Sequence, residues 1–249
     1  MGLLSAPWMR RPNGCSGLCD TRSNLERDDD DEGVLPVSMF DPLNQPYGAT
    51  PVDEDDRQYL LDVHRDIATM AELNDAESSN IADARFWIRD EAFEVAELLS
   101  LGVQCDVHRR MFDRVWDWAG RIRTRELSIG VEPYRIREDW PGALGDASYW
   151  VEHRTYSPAE VVLRLHHRTV QIHPFQNGNG RHARMLAEEL ALGLGLEEDC
   201  FSWGGHLGVP LEQQRAAYLD SLRRLDKNPG DVEPLLQFAL DPQADDSWP

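Results

Sequence analysis

Two helical patterns in this chain are separated by HPFQNGNGRHAR, residues 173–184, and this break constrains the fold more than any other feature. Pro174 cannot continue a preceding helix, while Gly178 and Gly180 allow a turn that residues with a Cβ rarely make. Before the break, SPAEVVLRLHHRTVQI carries a complete helix start, with Ser157 as N-cap, Pro158 in the first turn and Glu160 three residues after the cap. That pattern predicts a helix to about residue 172. After the break, RHARMLAEELALGLG resumes helical spacing and ends in its own glycines. The segment is therefore predicted to be a tight loop joining two helices.

The same periodicity recurs elsewhere. Apolar residues at intervals of three and four predict helices over 82–100 and 106–120, the second stopping at Gly120. LEQQRAAYLDSLRRL (211–225) and VEPLLQFAL (232–240) read as two closing helices. Between the helix over 106–120 and the one that starts at Ser157, RIRTRELSIGVEPYRIRE (121–138) favours strand on either side of Gly130 and Pro133, predicting a short β-hairpin. The expected fold is all-α with one small hairpin, over residues 51–240, followed by a tail at 241–249. Residues 1–50 are expected to be a flexible tail: ERDDDDE cannot bury itself, and Pro36, Pro42 and Pro46 follow it in extended chain.

Charge and composition narrow the function. The chain has 249 residues, 41% of them hydrophobic, enough for one sizeable domain, and a formal charge of −20. Such a charge repels nucleic-acid backbones, so any phosphate binding must be local. No apolar run is long enough to span a membrane, and MGLLSAPWMRR lacks the order of a secretory signal, so a cytoplasmic protein without a membrane role is expected. Gly2 suggests myristoylation, but Ala6 stands where that signal needs Ser or Thr. Cys15, Cys19, Cys105 and Cys200 are too few for a disulfide scaffold and read as free thiols.

The loop itself points to anion chemistry. A helix N-terminus reached through Gly178, Asn179 and Gly180 offers unpaired amides and a positive dipole end. Arg181 and Arg184, three residues apart, share one helix face and can address the same anion. His173, at the end of the preceding helix, is a base with an ordinary pKa near ~6.5. A base beside bound phosphates suits activation of a hydroxyl for attack on phosphorus. His166, His167 and His182 match no metal-ligand spacing and are assigned to packing or surface.

The segment resembles the signature of the Fic domain family, His-Pro-Phe-x-Asp/Glu-Gly-Asn-Gly-Arg-x-x-Arg, departing from it at Asn177 alone. HRRMFDRVWDWAGRIRT is similar to the family's helix leading into a target-docking flap, and FSWG and RAAYLDSLRRL to its closing part. GATP, IGVEPY and the motif Asn resemble the subgroup called mobile mystery protein B. The resemblance implies a Fic-type helical bundle with a β-hairpin flap that transfers a nucleotide monophosphate, usually AMP from ATP, to a protein hydroxyl, the chain's own hydroxyls being among the candidate acceptors. His173 would be the base, Gly178, Asn179 and Gly180 the phosphate cradle, and Arg181 and Arg184 the phosphate-chain contacts. Tyr218 would wall the base pocket, and Ile129, Gly130 and Tyr134 would dock the target.

Asn177 stands where the resemblance implies an acidic ligand of Mg²⁺, a metal that prefers carboxylate oxygen. Three outcomes follow for the chain: weaker metal use with ATP, a different phosphate-containing donor, or binding without transfer. The last is a reading of another class, a non-catalytic nucleotide-binding or interaction module. The family's inhibitory helix, Ser/Thr-x-x-x-Glu-Gly/Asn, has its nearest counterpart in SSNIADA, where Ser79 and Asp83 have the spacing; Glu77 is a second candidate to oppose Arg184. An antitoxin-like partner and a homodimer are compatible with the resemblance.

Overall fold

The computed structural model describes residues 54–249. The expectations for the acidic tail, for Gly2 and for Cys15 and Cys19 lie outside these residues. Short 3-10 turns at Glu54–Tyr59 and Asp62–His64 lead into α1, Met70–Glu91. Thr69 caps α1: its hydroxyl accepts the Glu72 amide, and the Glu72 carboxylate accepts the Thr69 amide in return. Leu73, Glu77, Asn80, Ala84 and Ile88 form the buried stripe of α1 at helical spacing, and two of these five are polar.

The helix expected over 82–100 is broken. Ala92 adopts a left-handed conformation at φ 48°, Phe93 packs edge-on against Trp87, and the chain restarts as α2 (Val95–Leu98) and α3 (Leu101–Phe112). The helix expected to reach Gly120 likewise stops early, at Phe112. Its continuation bonds to the N-terminal segment instead: Leu61 N–H donates to Val115 O, and Asp117 N–H to Tyr59 O. Those carbonyls and amides are then lost to any helical ladder.

The β-hairpin does not form, and among the described residues there are only isolated bridges, Leu60 with Trp116, Ile122 with Phe175 and Phe201 with Leu240. Segment 121–132 is irregular, and its backbone amides at Arg123 and Val131 donate to Pro174 O and Ile172 O rather than across a hairpin. A 3-10 turn at Pro133–Arg135 then enters α4, Ile136–Glu152, which was not anticipated. The reason is visible in the sequence: Pro141 and two glycines obscure a regular buried face of Ile136, Trp140, Ala143, Leu144 and Ala147.

The two helices around the break appear as expected, α5 (Pro158–Ile172) and α6 (Asn179–Gly193). α7 (Leu211–Lys227) and α8 (Glu233–Ala239) close the domain. α5 is the most buried helix and lies between α4 and α6, while α1 packs on α3. Phe112, Trp116, Trp140 and Phe175 are fully buried aromatics. The closing residues are docked: the Asp246 carboxylate accepts the Ala159 amide at 2.7 Å and the Ser157 hydroxyl, and Trp248 Nε1 donates to Tyr156 O at 2.9 Å. An acid thus covers the N-terminus of α5, where the dipole favours it.

Candidate active site

His173 is the C-cap of α5, held in the left-handed region at φ 56° with its amide on Thr169 O at 3.0 Å. That conformation turns the chain sharply out of the helix. The imidazole is 5% exposed, and desolvation lowers its pKa to about 4. It is therefore neutral across the physiological range, the form in which it accepts a proton. The nearby Arg123 charge acts in the same direction, and a hydrogen bond with Val170 opposes both.

The loop beyond it is closed by Asn179. Its Oδ1 accepts the Phe175 amide at 2.9 Å and its Nδ2 donates to Phe175 O at 2.9 Å, so the side chain is used within the loop. Phe175 points inward and stacks on His108 at 3.6 Å between ring centroids. His108, also buried, bridges two segments: its Nδ1 accepts the Gly120 amide and its Nε2 lies 3.0 Å from Asn177 O. The first of these bonds fixes the tautomer, leaving Nε2 as the donor.

Gly178 sits at φ +75°, and a Cβ there would lie 2.5 Å from the Phe112 ring, so glycine is required twice over. The first intrahelical bond of α6 is from His182 N–H to Gly178 O; the amides of Asn179, Gly180 and Arg181 precede it and have no carbonyl within the helix. A Cβ on Gly180 would meet nothing within 4 Å. The start of α6 is thus an open cradle of amides at the positive end of a dipole.

The arginines differ. Arg181 lies over the Phe112 ring at 4.8 Å and pairs with the Glu77 carboxylate on α1. Glu77 is 3% exposed and also accepts Trp116 Nε1 at 2.6 Å. Arg184 reaches over Tyr218 at 5.9 Å, and among the described residues no carboxylate pairs with it. Tyr218 is buried, with its hydroxyl 2.8 Å from His166 Nε2; burial pushes its pKa up to about 12 and that of His166 down to about 3. This corner therefore holds positive charge over neutral rings.

Several expected residues fall elsewhere than anticipated. Asp83 pairs with Arg114 rather than with the motif, and Glu77 meets Arg181 rather than Arg184. Asn177 turns its Oδ1 back to the Gly178 amide at 2.6 Å. Among the described residues there is no group of three or more His, Cys, Asp or Glu that could hold a metal, and Asn177 offers a neutral amide oxygen where a carboxylate would be the stronger Mg²⁺ ligand. Ile129 and Gly130 lie in the segment above His173, and Tyr134 is largely exposed beside it. Reasoning from sequence missed His108 and Arg123. His108 is a polar residue on the buried face of a helix, and Arg123 is one of three alternating arginines, 121, 123 and 125, in an irregular segment.

The domain is helical, and a buried neutral imidazole and a glycine-led helix N-terminus share one loop. Residues 98–191 match the Fic/DOC family model. The chain is 30% identical over 141 residues to protein adenylyltransferase fic-1 of Caenorhabditis elegans, covering 53% of this chain and 25% of that one. It is 29% identical over 110 residues to the probable protein adenylyltransferase Fic of Escherichia coli K12, covering 40% and 52%. The chain thus spans from a quarter to about half of the length of these relatives. Among solved structures, a fragment of C. elegans Fic-1 superposes with a TM-score of 0.52 at 26% identity, covering 69% of this chain and 48% of that one. BepC of Bartonella tribocorum, solved with bound AMPPNP, has a TM-score of 0.56 at 14% identity, covering 74% and 97%, and shares the fold.

Proposed function

We infer that the domain is a Fic-type nucleotidyltransferase that moves a nucleotide monophosphate, AMP from ATP in the simplest case, to a protein hydroxyl. The observation that carries this reading is the pairing of a neutral, buried His173 with the open amides at the start of α6 and an Arg184 that no described carboxylate engages. His173 takes the proton of the acceptor hydroxyl as its oxygen forms a bond to the α-phosphorus. The bond from that phosphorus to the bridging oxygen breaks, and the electron pair leaves with pyrophosphate. The amides of residues 179–181 and Arg184 hold the phosphates in line, which is where most of the rate gain in phosphoryl-type transfer comes from. Tyr218 walls the site on the far side of Arg184.

Asn177 offers a neutral amide oxygen that must leave Gly178 before it can ligate, so we propose metal use weaker than an acidic residue would support. That same amide favours the second reading, a nucleotide-binding module without transfer. Glu77, by neutralising Arg181, is proposed as the restraining residue. Membership of the mobile mystery protein B subgroup, a cytoplasmic location, an antitoxin-like partner and a homodimer belong to the same proposal, and the chain itself is one candidate acceptor.

The test is incubation with ATP labelled at the α-phosphate, with and without Mg²⁺, for the chain and for His173→Ala. Transfer by the chain alone, with nucleotide binding kept by the variant, supports the enzyme. Absence of label under every metal condition, with nucleotide still bound, selects the binding module.

A further inference from the structure

Arg123 is an arginine with few equals in this molecule. It is 4% exposed, and all four acceptors recorded for its guanidinium are main-chain carbonyls. Nε donates to His173 O at 2.7 Å, Nη1 to Arg125 O at 2.9 Å, and Nη2 to Val131 O and, at 3.4 Å, to Ile172 O. Two of these acceptors lie in the segment above the site, and two at the end of α5 that carries the imidazole. A buried guanidinium is retained only where its fork of donors is well used. This one is used to tie two pieces of irregular backbone together.

The surrounding bonds run the same way. Arg123 N–H donates to Pro174 O at 2.9 Å and Val131 N–H to Ile172 O at 3.2 Å, so residues 123 and 131 both touch the end of α5, while residues 124–130 loop between them. At Gly130 the approach is as close as backbone permits: a Cβ there would lie 2.6 Å from His173 Cβ and 2.7 Å from Arg123 Nη2. No ladder of its own holds this segment. Its height above the imidazole depends on few bonds, and most of them involve Arg123.

We propose that Arg123 is a positioning residue, a clasp that fixes the height and register of residues 125–131 over His173. Taken with the transferase reading, on which this consequence rests, the clasp sets how an extended acceptor segment is presented to the base. An acceptor laid along this segment by strand addition finds its hydroxyl at the imidazole only if the segment is held still. The helical cap at His173, from its amide to Thr169 O, is made without Arg123.

Two variants of the full chain test the proposal, Arg123→Ala and, in case the first does not fold, Arg123→Lys, which keeps the charge but not the fork. Hydrogen exchange should show the Val131 amide exchanging about tenfold faster or more in either folded variant, the loss of one or two hydrogen bonds, with α5 and α6 amides at wild-type rates. In transfer assays the KM for the acceptor should rise about tenfold, while nucleotide affinity, and in the charge-keeping Arg123→Lys the pH profile of kcat, stay within about twofold of wild type. An unchanged Val131 rate in the folded variants overturns the clasp, and so does uniform acceleration across α5 and α6, which would mark plain destabilisation. A fall in kcat with acceptor KM constant overturns the positioning role in favour of an action on the imidazole. Should the wild-type chain transfer nothing while Val131 responds as expected, the clasp is supported and the transferase reading is what fails.

Discussion

Asn179 is the residue at which the Fic signature and the geometry make different demands, and Asn179→Ala separates them. The signature implies a phosphate contact. In the structure the side chain is 1% exposed and both of its polar atoms are taken by the Phe175 backbone. Truncation leaves a buried amide and a buried carbonyl unsatisfied, each costing about 1–3 kcal/mol, against a return of about 0.5 kcal/mol for Ala in the first turn of a helix. The expected net loss is about 1.5–5.5 kcal/mol, or roughly 3–22 °C in Tm for a chain of this size. Urea denaturation of the chain and of the variant measures it directly, and Asn179→Asp, which keeps the acceptor but not the donor, should fall between them. If Asn179→Ala unfolds within about 0.5 kcal/mol of wild type yet loses nucleotide affinity, the side chain serves the ligand and the loop-clamp argument is refuted.

Two further outcomes follow from the same arrangement. Burial lowers the pKa values of His173 and His182 to about 4, of His166 to about 3, and of His108 well below its ordinary value; the unfolded chain binds these protons near pH ~6.5 while the folded one does not. Stability is then fully present above pH 6.5 and should fall by several kcal/mol between pH 6.5 and 5, before most carboxylates titrate; urea midpoints that stay flat across that interval would contradict it. Glu77→Gln removes the charge that neutralises Arg181 while keeping an acceptor for Trp116 Nε1. Affinity for ATP should rise about tenfold, on the scale of a partly buried ion pair released to a ligand phosphate, and calorimetric titration showing equal or weaker binding would end the proposed restraint.

What the sequence disclosed, and what it hid, divides along the range of the forces involved. α5, α6 and the loop between them were legible because their signals are local: the Ser157 cap, the Pro174 stop, and glycines whose φ values no other residue tolerates well. α4 was hidden although its apolar spacing is regular, since Pro141 and neighbouring glycines argue locally against a helix that burial of Trp140 and Ile136 then enforces. The hairpin failed for the opposite reason. Strand-favouring residues at 121–132 do form β-like bonds, but with residues 172–175 rather than with one another, and no pattern within the segment names its partner. Glu77 shows the same limit at the site. Its place in an apolar stripe was readable, yet that it meets Arg181 and not Arg184 depends on how α1 lies against α3 and α6. Chemistry at this site was therefore foreseeable wherever one loop supplies it, and unforeseeable wherever a second segment is brought to that loop.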